Sequence, residues 1–120
     1  VETLHFVDVI IIPFEPNQTD LRPTLTFYYN IYEGIIESRR KIGKKTTMRG
    51  VMNRVLPNVL EFKEILKNKK TLPFELMQNY IKDSRVDYQR NLSSLSIAYH
   101  HPCDAFCEEV LELICNHIGE

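Results

Sequence analysis

Between Thr47 and Lys67, apolar residues recur at alternating steps of four and three: Met48, Met52, Val55, Val59, Phe62 and Leu66. That spacing keeps one stripe of a helix facing a neighbour. Val51, Leu56, Leu60 and Ile65 widen the stripe, so the pattern predicts a central helix packed against several elements and kinked at Pro57. Leu25, Tyr28, Ile31, Tyr32, Ile35 and Ile36 predict a helix before it, from about Thr24 to Ile42, stopped by Gly43. Phe74, Met77, Tyr80 and Ile81 predict a third, opened by Pro73 and reaching about Tyr88. A last helix is expected behind Pro102, with Phe106, Val110, Leu111, Ile114 and Ile118 inward and Glu108, Glu109 and Glu112 outward.

Leu4 to Phe14 follows a different pattern. Its β-branched and aromatic residues, ended by Pro13 and Pro16, read as a strand. Alternation groups Leu4, Phe6, Asp8, Ile10 and Ile12 on one face, which places Asp8 among apolar neighbours. A lone strand leaves its backbone groups unsatisfied, so a partner is required. The alternating stretch Leu95 to Tyr99 can supply it from within, and an edge of another chain can supply it from outside. The expected architecture is therefore mainly α, a four-helix bundle-like domain with an N-terminal β-strand for which 95–99 is the candidate internal partner. One domain spans residues 1–120, and the lack of an initiator Met leads us to expect a piece of a longer protein.

Composition changes this picture little. With 43% hydrophobic and 26% charged residues the chain has the make-up of a folded globular domain. Its longest apolar run, Val9 to Ile12, is too short for a membrane span, and no signal peptide is legible. The three cysteines, Cys103, Cys107 and Cys115, are an odd set that argues against a disulfide framework and for an intracellular setting, cytoplasmic or nuclear. Asn17-Gln18-Thr19 and Asn91-Leu92-Ser93 match a glycosylation acceptor, which matters only for a secreted chain such as a small helical cytokine.

Charge is segregated despite a net value of −1. Arg39, Arg40, Lys41, Lys44, Lys45, Arg49 and Arg54 fall in a stretch free of acids, whereas Asp104, Glu108, Glu109, Glu112 and Glu120 follow Arg90 with no Lys or Arg among them. Segregation of this kind suits a charge-matched partner.

The candidate chemistry is thin. His100, His101, Cys103, Cys107, Cys115 and His117 form a cluster in sequence, and Cys103 with Cys107 could offer zinc two ligands one helical turn apart. There is no CxxC pair, however, and Cys115 lies two turns further on, so packing as small hydrophobes is the simpler role. Cys103 at a helix start is the best-placed thiol nucleophile, with only the adjacent histidines as bases. Gly43-Lys44-Lys45-Thr46 lacks the upstream glycine and the hydroxyl residue after the first lysine that a phosphate-binding loop needs, since Ser38 and Lys45 stand there. Asp8, Glu61 and Lys63 have the residue types of a metal-dependent nuclease but not the strand placement.

These readings lead us to expect a non-catalytic protein–protein interaction module, an adaptor or scaffold domain, with no catalytic residue, metal or cofactor implied. Phe6, Val7, Val9 and Ile11 would be the contact strand and Arg39, Arg40, Lys44 and Lys45 the steering charges. The partner would be another protein or the rest of the parent chain. The alternative is nucleic-acid binding by the basic segment 39–54, with Tyr28, Tyr29 or Tyr32 as stacking faces.

Overall fold

The run of Val and Ile from Val9 to Phe14 does form a strand, β1, but its partner is a second strand, β2, at Thr47–Met52. The two are parallel, in register from Val9 opposite Thr47 to Phe14 opposite Met52. A short third strand, β3 at Glu75–Leu76, pairs parallel with the other side of β2, giving the order β1-β2-β3. The structure is a computed structural model that describes residues 2–83 and 104–119.

Parallel strands require crossovers, and the chain supplies them with helices. The first comprises α1 at Gln18–Phe27, a π-helical turn at Tyr28–Tyr32 and α2 at Glu33–Lys41. Asn17 caps α1 by accepting the Asp20 N–H at 2.8 Å, and the Asp20 carboxylate reaches back to the Glu15 N–H at 2.6 Å. Pro23 sits inside α1, where its ring removes the one bond to the Thr19 carbonyl. Gly43, at φ 80°, closes α2 where expected, with Lys44 N–H on Arg39 O at 2.9 Å and Gly43 N–H on Arg40 O at 3.0 Å. The second crossover is α3 at Leu60–Lys67, followed by a single 3-10 turn at Lys69–Thr71.

Both crossovers pack on one face of the sheet. Ile10, Ile12 and Phe14 of β1 and Met48 and Met52 of β2 meet Leu21, Phe62, Ile65 and Phe74 in one buried cluster. The Phe74 ring lies against Phe14, centroids 6.2 Å apart, and against Tyr28 at 5.7 Å. Burial raises the Tyr28 phenol above its ordinary pKa, with Glu33 and Tyr29 adding to the effect. A fourth helix, α4 at Asp104–Gly119, covers the opposite face. Its His117 Nδ1 shares a 2.8 Å hydrogen bond with Thr47 Oγ1 at the start of β2. Its Glu109 carboxylate accepts the Gln78 and Asn79 N–H groups, each at 2.8 Å, beyond the end of β3. Helix α4 therefore runs antiparallel to the strands.

These elements overturn the four-helix bundle: the fold is mixed α/β. The expected central helix is divided, its first six residues forming β2, a turn at Arg54 to Pro57 intervening, and only Leu60–Lys67 remaining helical. The expected third helix is β3 and its flanks, with Phe74 and Met77 buried on either side of the strand. The first 3-10 turn, Glu2–Phe6, replaces the start of the expected strand. Asp8 is not enclosed by apolar groups, because its side chain is 64% exposed. Leu95 to Tyr99, the expected internal partner of β1, lies outside the described residues, as does the end of the expected third helix at Tyr88.

Candidate functional site

The fold keeps Arg40, Lys44 and Lys45 around one pocket and separates the other residues singled out from the sequence. Arg39 is 1% exposed and so does not face solvent as a steering charge. Its guanidinium donates to His5 O and Asp8 Oδ1, each at 2.6 Å, to Thr46 Oγ1 at 2.7 Å and to Lys45 O at 3.3 Å. It ties the segment before β1 to the loop before β2, which is a structural role. Arg40 is exposed and bonded to Glu37 at 2.7 Å, a contact that lowers the Glu37 carboxyl pKa and raises that of the guanidinium. Lys44 and Lys45 are exposed on the same loop.

The basic segment is not one patch. Arg49 lies 3.5 Å from Glu75, and Arg54 lies 3.1 Å from Glu15. Residues 39–45 and Arg54 sit at opposite ends of β2, about 20 Å apart at a strand rise of about 3.3 Å per residue. Asp8 precedes β1, whereas Glu61 accepts the Gln18 N–H beyond the far end of that strand, so the nuclease-type pair of acids does not assemble.

Of the expected contact strand, Phe6 is 80% exposed, whereas Val7, Val9 and Ile11 are half-buried. Thr47 N–H to Asp8 O and Asn53 N–H to Phe14 O fix which edge of β1 is engaged. In a parallel ladder this turns the backbone groups of Ile10 and Ile12 towards β2 and those of Val9, Ile11 and Pro13 away from it. Pro13 thus stands where no ladder bond is lost, and it offers no amide to an incoming strand.

The strand ends form a crevice of about 310 Å³ beyond the carboxyl edge of the sheet, where α/β folds commonly bind ligands. Glu15, Arg54, Glu61 and Asp83 line it. Glu15 is held by Arg54, Glu61 accepts the Gln18 N–H at 3.2 Å, and Arg54 adopts a left-handed φ of 53°. The polar lining of the crevice is carboxylates, the Arg54 guanidinium and the Asn17 amide, with no hydroxyl, thiol, imidazole or amine among the described residues.

Helix α4 is different, because both of its sides are apolar. Phe106, Val110, Leu113 and His117 are half-buried along one side, with Glu109 anchoring it. Leu111 is 63% exposed, Ile114 38% and Ile118 78%, and Cys107 is an exposed free thiol in the same row. The row 107, 111, 114, 118 steps by four, three and four, the narrow seam by which one helix receives another. Sequence reasoning merged these two sides into a single inward face and missed Leu113. Cys115 is likewise exposed and free, while His100, His101 and Cys103 lie outside the described residues. Among the described residues no three His, Cys, Asp or Glu side chains are placed to hold a metal ion, and no helix is long and apolar enough to cross a membrane.

Glu109 fixes which side of α4 faces out, since its carboxylate takes two backbone amides and Asn79 Nδ2 at 2.9 Å. Glu109→Ala is expected to cost about 1–2 kcal/mol, as charged hydrogen bonds at a partly exposed site do. Hydrogen exchange should then accelerate at Gln78 and Asn79, and unchanged rates there would show that the anchor contributes nothing. Against family models, curated proteins and solved structures alike, this chain finds no match.

Proposed function

We propose that this chain is a non-catalytic protein–protein interaction module that presents the outer row of α4 to its partner. One observation carries the reading: Leu111, Ile114 and Ile118 stand exposed in a continuous row on a helix whose other side is already docked. Contiguous exposed apolar side chains on a folded surface mark contact sites far more often than single ones do. The contact moves from β1 to α4 because β1 is paired with β2 and its outer edge carries Pro13. Phosphate binding by the whole segment 39–54 has less support than it had in the linear sequence, because Arg39 is buried and Arg49 and Arg54 are paired with Glu75 and Glu15, while Arg40, Lys44 and Lys45 stay together.

A photo-crosslinking residue placed at Ile118 in the full chain, in cells, tests the proposal. A discrete protein adduct is expected from that position, absent from a control at the exposed Lys63 and lost when Leu111→Asp is added. No adduct, or the same adducts from Lys63, would refute it.

A further inference from the structure

The rim of the exposed row identifies the chemistry of what covers it. Helix α4 carries Asp104, Glu108, Glu109 and Glu112 and neither Lys nor Arg. Glu109 is engaged with Gln78 and Asn79, whereas Asp104, Glu108 and Glu112 are exposed. At 100° per residue, Asp104 and Glu108 fall on one flank of the Leu111 direction, with Glu112 beyond them. On the opposite flank the row passes through Ile114 into the docked side. The surface is therefore an apolar ridge with a single acidic border.

We infer that the occupant is a basic amphipathic helix of a partner protein, with Leu or Ile at heptad spacing and Lys or Arg along the flank that meets Glu108 and Glu112. A narrow ridge of this spacing is the seam on which a second helix packs its own a and d residues, so a helical occupant fits it. The sign of the border selects the partner's charge. A second copy docked antiparallel through the same helix would bring two acidic borders together without a cation between them, and like charges at that range repel; a parallel copy would set the acidic border against the flank of α4 that is already docked. An anionic membrane surface is disfavoured for the same reason.

This inference rests on the proposed module and goes beyond it by fixing the partner's chemistry. Three-heptad peptides with Leu at a and d test it directly, one carrying Lys at e and g and the other Glu, titrated into the full chain at low salt and followed by anisotropy. The Lys peptide is expected to bind at least about tenfold more tightly than the Glu peptide. Leu111→Asp with Ile118→Asp should abolish the difference, and Glu108→Lys with Glu112→Lys should reverse it. Bound Lys peptide should also slow maleimide labelling of Cys107 and Cys115, read site by site by mass spectrometry.

Equal binding of the two peptides, or binding that survives Leu111→Asp with Ile118→Asp, would overturn the inference. Tighter binding of the Glu peptide through Leu111 would overturn the charge assignment while leaving the interaction module standing. Concentration-dependent self-association abolished by Leu111→Asp would put a second copy on the row and also overturn it. Failure of the module itself would be read separately, as the absence of any crosslinked adduct at Ile118.

Discussion

Arg39→Met is expected to destabilise the fold by about 3 kcal/mol, measured as a lowered urea midpoint at unchanged slope. The guanidinium is buried to 1% exposure and donates to the segment before β1, at His5 and Asp8, and to the loop before β2, at Lys45 and Thr46, so that with α2 three segments meet at it. Methionine fills much of the volume but returns none of the hydrogen bonds. Each bond to a charged group is worth about 1.5–3 kcal/mol, and the sum is reduced because the Asp8 side chain, 64% exposed, regains water when released. Asp8→Asn should accordingly cost about 1 kcal/mol or less. Arg39→Lys should recover little, since an ammonium cannot span the directions that the planar fork reaches. If Asp8→Asn proved as costly as Arg39→Met, the ion pair and not the three-segment tie would be the stabilising element.

That tie was invisible in the sequence because two of its four partners, Asp8 and His5, are 31 and 34 residues away from Arg39. What was legible was local. The Val and Ile run of β1 and the glycine that closes α2 both act within a few residues of themselves, so their signals survive in the linear order. The start of α1 was missed: the expected helix began at Thr24, six residues late, although Asn17 three residues before Asp20 is a capping pattern. Strand β2 was misread for a numerical reason. A step of four is two periods of a strand and nearly one turn of a helix, so Met48 and Met52 satisfy both patterns. Gly50 between them, Thr46-Thr47 before them and Asn53 to Pro57 after them were the signals that favoured a strand and a turn. The two sides of α4 could not be separated from composition alone. The residues from Phe106 to Ile118 span a wide arc, and only the position of the sheet decides which part of it is covered.

Gly50→Ala is expected to destabilise the protein by about 2 kcal/mol, against the usual preference for alanine over glycine in a strand. A Cβ at Gly50 would lie 2.5 Å from Phe74 Cε2, 2.9 Å from Cδ2 and 3.1 Å from Leu76 Cδ2. The gain from replacing a strand glycine is about 0.5–1 kcal/mol, whereas overpacking a filled core costs about 1–3. The second term wins because Phe74 cannot retreat: it is 6% exposed and wedged against Phe14 and Tyr28. Phe74→Ala alone should cost about 3–5 kcal/mol, for the lost burial and the cavity it leaves. The two substitutions should not add. Once the ring is gone, the new methyl group enters the space it vacated, so the double variant should be no less stable than Phe74→Ala, with a coupling of about 2 kcal/mol or more. Strict additivity in urea unfolding would mean that the ring does not press on β2, and that the close approach of Phe74 to Gly50 is not what holds the last crossover against the sheet.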